Sequence, residues 1–212
     1  MRTVIYGAGG MGREALAWLR DVDGRADVAG FLDDDPELSG SRVADLAVLG
    51  DSEWLEPGVD VVVAVGAPRA RRAVVERVLR LGASLRTVVH PSAYVGARTT
   101  IGAGSIVCPN VTLTVDITIG DAVIVNYGAR IGHDGQVGDY AFVGPGVHLA
   151  GAVCVGEGAE VGIGASVIQG IQVGRWSRVG AGAVVVRDVP DDVTAVGVPA
   201  RPISSAAGEG AS

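Results

Sequence analysis

The sequence predicts a short α/β domain followed by an all-β parallel helix made of six-residue repeats. Three observations predict it. Glycine is abundant, at 33 of 212 residues, while Phe and Tyr together number six. From Val89 an aliphatic residue recurs at every sixth position, through Val95, Ile101, Val107 and Leu113, without a miss to Val185. The residues before this series show instead short apolar runs alternating with helical spacing.

A six-residue period fits neither an amphipathic helix nor a long alternating strand. It fits a parallel β-helix in which each hexad gives one strand and one turn, and three hexads close a triangular coil. The aliphatic residue points into the prism. The residue after it is usually glycine, as at Gly96, Gly102, Gly132 and Gly156, and is expected to let the backbone bend where a Cβ would clash. Four residues after the aliphatic comes a small or β-branched residue, as at Ala93, Thr99, Ala129 and Ala141, suited to a corner. The hexads make five full coils with two hexads over, a prism roughly 27 Å long at about 4.8 Å per coil.

In the N-terminal part, residues 3–6 form an apolar strand that ends at Gly7. Residues 10–20 have helical spacing through Met11, Ala15, Leu16 and Leu19. Residues 28–32 form a second strand, ending in Asp33, Asp34 and Asp35. Residues 59–65 are nearly all apolar, as in a strand buried in a parallel sheet. Residues 68–81 read as a helix opened by Pro68 and stopped by Gly82. The order β-α-β then β-α predicts a Rossmann-like half domain over residues 1–85. The β-helix is expected over 86–203, with His90-Pro91 near the junction and a disordered Ser/Ala/Gly-rich tail over 204–212.

Composition removes several functions. The net charge is −7 with no basic cluster, so nucleic acid and anionic membrane surfaces are poor partners. All 17 basic residues are arginine, which excludes lysine Schiff bases and P-loop lysines. Cys108 and Cys154 are far apart, so neither a disulfide framework nor a CxxC site is expected. No leader-like or membrane-spanning stretch is seen, and a cytoplasmic protein is expected.

Two places carry chemistry. Gly7-Ala8-Gly9-Gly10-Met11-Gly12 satisfies G-x-G-x-x-G between a strand and a helix, where backbone N–H groups can cradle a phosphate. Asp33 follows at the distance of an acidic residue that grips a ribose. The loop is compatible with NAD, with a nucleotide sugar, or with a tight turn that binds nothing. A half domain suits a nucleotide carrying one diphosphate better than a dinucleotide. The second place is His133, at the third position of its hexad and beside Asp134, which could fix its tautomer. One coil of eighteen residues stacks Gly151 against His133, and a glycine N–H there could face an oxyanion. A base and an oxyanion donor on neighbouring coils are the minimum for acyl transfer. His90 reads as structural and His148 as a solvated or packed wall residue. With no third histidine in place, no metal site is expected.

The motifs IYGAGGMG, FLDD, VVVAVG, HPSAYVG, NYGARIGHD, HLAG, VGAGAVVVRDVP and GVPAR resemble the NeuD/PglD family of nucleotide-sugar and sialic-acid acetyltransferases, over residues 1 to about 203. The resemblance implies a left-handed β-helix, acetyl-CoA as co-substrate, and a homotrimer with each active site between two prisms. It implies His133 as general base, Asp134 as its acidic neighbour and Gly151 as the oxyanion donor. Gly9, Gly10, Met11, Asp33, Asp34 and Gly66 match the nucleotide-sugar site. Ile163 and Ala181 match residues lining the acetyl-CoA groove, and Phe142 stands where some members have a histidine that touches acetyl-CoA. The reaction expected is N-acetylation of a nucleotide-activated amino sugar, of the 4-amino-4,6-dideoxy type. Sugar O-acetylation is the alternative, and an NAD-linked oxidoreductase and a catalytically silent scaffold are more distant ones.

Overall fold

The computed structural model describes residues 2–24 and 27–205. The chain divides into two compact units, Met1–Pro91 and Ser92–Ser212.

The first unit is built on a parallel sheet of β1 (Thr3–Tyr6), β2 (Val28–Leu32), β5 (Asp60–Val63) and β6 (Ser84–Leu85), in the order β2-β1-β5-β6. Between β2 and β5 runs a small antiparallel hairpin, β3 (Arg42–Val43) with β4 (Leu46–Ala47), that the apolar pattern does not announce. Helix α1 (Gly10–Asp23) follows β1, and α2 (Pro68–Arg80) follows β5. Val4, Ile5, Phe31, Leu32, Val61, Val62 and Val63 are fully buried, and Ala15, Leu16, Leu19, Val75 and Val78 come from the helices. Gly82 stops α2 with φ +78°, a left-handed conformation that favours glycine. β1 is flanked by β2 on one side and β5 on the other, so the chain switches direction across the sheet beside β1. The C-terminal ends of parallel strands at such a switch are where α/β sheets bind ligands.

The second unit is the left-handed β-helix. Two-residue strands stack in parallel with an eighteen-residue offset on three faces. The first face runs from Ile106–Val107 to Arg178–Val179, the second from Tyr94–Val95 to Val184–Val185, and the third from Thr100–Ile101 to Gln172–Val173. Inside, Val107, Leu113, Val125, Ile131, Val143, Val161 and Val179 are fully buried, with Ala129, Ala141, Ala159 and Ala165 filling the corners. Burying each such Val, Ile or Leu contributes about 1.5–3 kcal/mol. Strand Val193–Val196 continues the first face, and Arg201–Ser205 pairs antiparallel with it. The tail expected from 204 therefore begins inside this strand, and 206–212 lie outside the described residues.

The glycines after the aliphatic positions do a different job from the one expected. They are not the residues that turn the chain. The left-handed turn residue comes three after the aliphatic, at Arg98, Asn110, Asp116, Asp134, Tyr140 and Trp176 as well as at Gly104, Gly128 and Gly146. The glycine one after the aliphatic is needed for close approach of the next coil. A Cβ on Gly156 would lie 2.7 Å from the Arg175 backbone nitrogen, and one on Gly138 would lie 2.7 Å from that of Glu157. The two kinds of glycine should respond differently to alanine. Gly156→Ala should cost about 1–3 kcal/mol as overpacking against backbone. Gly170→Ala, at φ +72° with open space around its Cβ position, should cost only the left-handed penalty of about 1 kcal/mol. Urea unfolding of the two variants measures the difference, and equal costs would refute the distinction.

Candidate active site

The C-terminal ends of β1, β2 and β5 surround a cleft of about 460 Å³ lined by Tyr6, Gly7, Asp33, Asp34, Val65 and Arg77, among others. Gly7 has φ +104°, and a Cβ there would lie 2.7 Å from the Ala64 carbonyl oxygen. A Cβ on Gly12 would collide with the Gly7 carbonyl oxygen. These two glycines hold the strand-to-helix turn together. Gly9, Gly10 and Gly66 differ, because their Cβ positions are open. Gly9 is the N-cap of α1, no side chain caps the helix, and its first turn has no acidic residue. Its leading N–H groups suit an anion. Met11 sits in the same first turn, half-buried. Gly66 is placed by Arg71, fully buried, whose guanidinium donates to the carbonyls of Val65 at 2.7 Å and Gly66 at 2.5 Å.

Asp33 and Asp34 are neighbours with separate duties. Asp33 accepts from the Ala8 N–H at 2.7 Å and the Asp35 N–H at 3.0 Å, so its carboxylate ties β2 to the glycine loop. Asp34 accepts from the Tyr6 hydroxyl at 2.5 Å and from Arg77 at 2.6 Å, and Arg77 also donates to the Tyr6 oxygen at 2.7 Å. Partial burial by itself would raise the Asp34 pKa, but the Tyr6 and Arg77 hydrogen bonds and the Arg77 charge outweigh it and hold the carboxyl below its ordinary range. Burial and the Asp34 contact push the Tyr6 hydroxyl up. Sequence reading found Asp34 but neither Tyr6 nor Arg77. The one available signal was a tyrosine closing the first strand.

On the β-helix, the His133 ring lies directly over Gly151. A Cβ at Gly151 would fall 2.5 Å from both Cε1 and Nε2 of the imidazole. The coils are tied here by the Ala152 N–H donating to the His133 carbonyl at 2.7 Å. His133 Nδ1 lies 2.7 Å from the Asp134 carboxylate, and both side chains are well exposed. Asp134 reaches its neighbour because it occupies the left-handed turn position, φ +58°, which aspartate tolerates better than most residues. With Nδ1–H donating to Asp134, Nε2 is the acceptor nitrogen. Among the described residues the Gly151 N–H has no acceptor. At the corresponding position on another edge of the prism, the Ala103 and Asp121 N–H groups are taken by aspartates one coil on.

The remaining candidates do not meet at this point. Ile163 and Ala181 stack on a different edge, where a Cβ at Gly162 would touch the Ala181 nitrogen, and both are exposed. Phe142 lies half-buried in the strand leading to that edge, paired with Ile124 and Glu160. His148 faces Arg130 at 2.9 Å on the wall, and His90 contacts Asp21 at 3.1 Å. Cys108 is buried and Cys154 half-buried. Among the described residues no cluster of His, Cys, Asp and Glu suits a metal ion, and no helix is long and apolar enough to cross a membrane.

A left-handed β-helix carrying an exposed His-Asp pair against a glycine of the next coil, preceded by a Rossmann-like half fold, defines a hexapeptide-repeat acyltransferase. Residues 2–78 match the family described as PglD N-terminal domain. PerB of Caulobacter crescentus, solved with CoA and GDP-perosamine, is 39% identical, covering 96% of this chain and 98% of that one, with a TM-score of 0.89. The acetyltransferase domain of PglB from Neisseria gonorrhoeae, solved with acetyl coenzyme A, is 32% identical over 95% of this chain and 98% of that one, with a TM-score of 0.85. WeeI of Acinetobacter baumannii is 29% identical over 96% of this chain and 100% of that one, with a TM-score of 0.90. A GDP-perosamine N-acetyltransferase of Escherichia coli O157:H7 is 34% identical over 117 residues, and the match spans about half the length of that relative. The chain belongs to the NeuD/PglD family of hexapeptide acyltransferases.

The depressed Asp34 pKa makes a stability prediction. The unfolded chain binds its proton at about 3.9 and the folded chain only at lower pH, so the contribution is complete above the unfolded value and lost as pH falls through the folded one. Asp34→Asn should therefore lower the urea midpoint of the first unit at about pH 6, with the deficit shrinking towards about pH 3. A deficit independent of pH would refute the assignment.

Proposed function

We propose that the chain transfers the acetyl group of acetyl-CoA to the amino group of a nucleotide-activated sugar, a 4-amino-4,6-dideoxy sugar for which GDP-perosamine is the first candidate. The observation that carries the reading is the His133 ring fixed over Gly151 with Asp134 on its Nδ1. The nucleotide sugar of the Caulobacter crescentus complex supports the choice of acceptor. Structures of a perosamine N-acetyltransferase from that organism in which one histidine is replaced by asparagine or alanine support attention to a histidine.

In this mechanism the acceptor amine attacks the thioester carbonyl. A C–N bond forms, the carbonyl electrons move onto oxygen, and the Gly151 N–H stabilises the oxyanion. Such a donor is typically worth about 3 kcal/mol. His133 Nε2 takes the proton the amine sheds, and Asp134 stabilises the imidazolium. The intermediate collapses by breaking the C–S bond, and CoA leaves as the thiol after receiving a proton. The products are an amide and CoA, with no covalent enzyme intermediate. The nucleotide sits at Gly9, Gly10, Met11, Asp33, Asp34 and Gly66, with Asp33 acting through the loop it anchors.

Acetyl-CoA lies along Ile163 and Ala181, with Phe142 at its acetyl end. Those residues stand on one edge of the prism and His133 on another, which supports a homotrimer whose sites are shared between copies. Acetyl-CoA is a cytoplasmic metabolite, and the enzyme is read as cytoplasmic.

His133→Ala should lower kcat by about 10²–10⁴-fold and leave both KM values within a few-fold. The assay is thiol release from acetyl-CoA against GDP-, UDP-, dTDP- and CMP-linked amino and hydroxy sugars. Unchanged kcat would remove His133 from the chemistry, and release with hydroxy sugars alone would move the enzyme to O-acetylation. Sedimentation should give three times the chain mass of 21.4 kDa. A monomer with full activity would refute the shared site.

A further inference from the structure

We propose that Arg71 is a positioning residue for the diphosphate of the nucleotide sugar. It holds the loop between β5 and α2 so that the N–H groups of Gly66 and Ala67 are presented to the phosphate oxygens. This role rests on the nucleotide-sugar reading of the N-terminal cleft.

Arg71 is fully buried, the largest side chain so placed among the described residues, while its neighbours Arg69 and Arg72 on α2 are exposed. A guanidinium gives up its water only at a cost, and a methionine or leucine would fill the same space without that cost. What arginine adds is donors. Nη1 donates to the carbonyls of Val65 at 2.7 Å and Gly66 at 2.5 Å, and the Arg71 backbone N–H donates to the carbonyl of Ala67 at 2.8 Å. One residue thus takes three successive carbonyls. The side chain reaches back to them because it leaves the first turn of α2 towards the helix N-terminus. The Val65–Gly66 and Gly66–Ala67 peptides are trans. In a trans peptide the N–H points opposite the carbonyl. With both carbonyls turned to the guanidinium, the Gly66 and Ala67 N–H groups are turned away from it. Among the described residues neither N–H has an acceptor.

The place of the loop supplies a second reason. A Cβ at Gly7 would lie 2.7 Å from the Ala64 carbonyl oxygen and 3.5 Å from Cγ2 of Val65, so the chain entering this loop lies against the glycine loop that precedes α1. Gly7, Ala64 and Val65 line the same cleft. A diphosphate has two phosphates to share between two such adjoining loops. The space at Gly66 is open, since a Cβ there would meet no atom within 4 Å. A cation bonded to the carbonyl side of a peptide also polarises it, which makes its N–H a stronger donor to an anionic oxygen.

The test is steady-state N-acetylation of the nucleotide sugar that wild type turns over, GDP-perosamine first, by wild type, Arg71→Met, Arg71→Gln, Arg71→Lys and Gly66→Ala. The Tm of each variant and calorimetric binding of the matching nucleoside diphosphate, GDP first, accompany it. Arg71→Met leaves two carbonyls without their donor. It should raise the sugar KM and the nucleoside diphosphate Kd together, by about tenfold, the usual loss for a hydrogen bond to a charged group. It should leave kcat and KM for acetyl-CoA within about twofold. Arg71→Lys should restore most of the affinity, because one nitrogen makes both side-chain contacts and an ammonium can do the same. Arg71→Gln, which keeps N–H donors without the charge, should fall between the two and carries the test if Arg71→Met does not fold. Gly66→Ala probes the open side of the loop. Its φ lies outside the left-handed region and its Cβ meets nothing, so Tm should hold while the sugar KM rises several-fold. An unchanged sugar KM in Arg71→Met or in Gly66→Ala overturns the proposal. So does a raised sugar KM with an unchanged nucleoside diphosphate Kd, which would take the contact off the diphosphate. Parallel losses in kcat and both KM values with a lower Tm would reduce Arg71 to a packing residue and overturn it too. If wild type turns over while the Arg71 variants match it, this inference alone falls. If wild type neither binds a nucleoside diphosphate nor turns over any nucleotide sugar, the functional reading falls with it.

Discussion

The β-helix depends on one constraint, the eighteen-residue register between successive coils. Each coil donates its backbone N–H groups to the carbonyls of the next, as Gly132 does to Leu149 and Gly138 to Val155. These ladders fix vertical columns of side chains. A hydrogen bond of this kind contributes only about 1 kcal/mol net, but a repeated ladder prevents any coil from slipping alone. Every position then has a defined neighbour one coil above and one below. The His133 ring reaches Gly151 for this reason, and any residue larger than glycine would drive the imidazole from its place.

The same columns organise charge. Arg98, Asp116 and Asp134 occupy the turn position of three successive coils. Arg98 holds Asp116 through two hydrogen bonds, and this contact raises the arginine pKa and lowers that of the aspartate. Asp116 is thereby committed to its arginine, while the carboxylate of Asp134 turns to His133. On the third edge, aspartates cap the N–H groups of the coil before them, as Asp121 does for Ala103 and Asp139 for Asp121. The Gly151 position has Gln169 one coil on instead of an aspartate, and among the described residues its N–H has no acceptor.

How much of this was legible in the sequence follows from which features are periodic. The aliphatic series is a physical period, so the strands of the prism could be placed from Val95 to Val185 before any coordinates. The contact between His133 and Gly151 was legible for the same reason, since one coil is eighteen residues. The turn position was misread. Its left-handed backbone is filled as readily by Arg98, Tyr140 or Trp176 as by glycine, so composition does not mark it. The conspicuous glycines mark close approach instead. In the first unit, β1, β2 and α2 were legible from hydrophobicity and from Pro68 and Gly82. The hairpin Arg42–Val43 with Leu46–Ala47 was not, because two-residue strands carry no alternation. Tyr6, Asp34 and Arg77 meet only through the sheet order and the rotation of α2, neither of which a single sequence encodes locally.

The placement of the two candidate sites has a chemical logic. A proposed nucleotide site needs many simultaneous polar contacts, and the C-terminal ends of these parallel strands offer them: a helix N-terminus with no side-chain cap, an open glycine at Gly66 set by buried Arg71, and a fixed carboxylate at Asp34. The proposed acetyl transfer needs one base, one N–H and a long apolar edge for the donor. A prism supplies the edge at low cost because its outer residues do not support the core. Ile163 is 56% exposed, an apolar side chain that water does not favour. His133 and Gly151 occupy one edge of the same prism, while Ile163 and Ala181 occupy another. In the proposed reaction, a base on one edge and a donor groove on another would meet only where the edge of one copy faces the edge of a second, which ties the proposed assembly to the proposed chemistry.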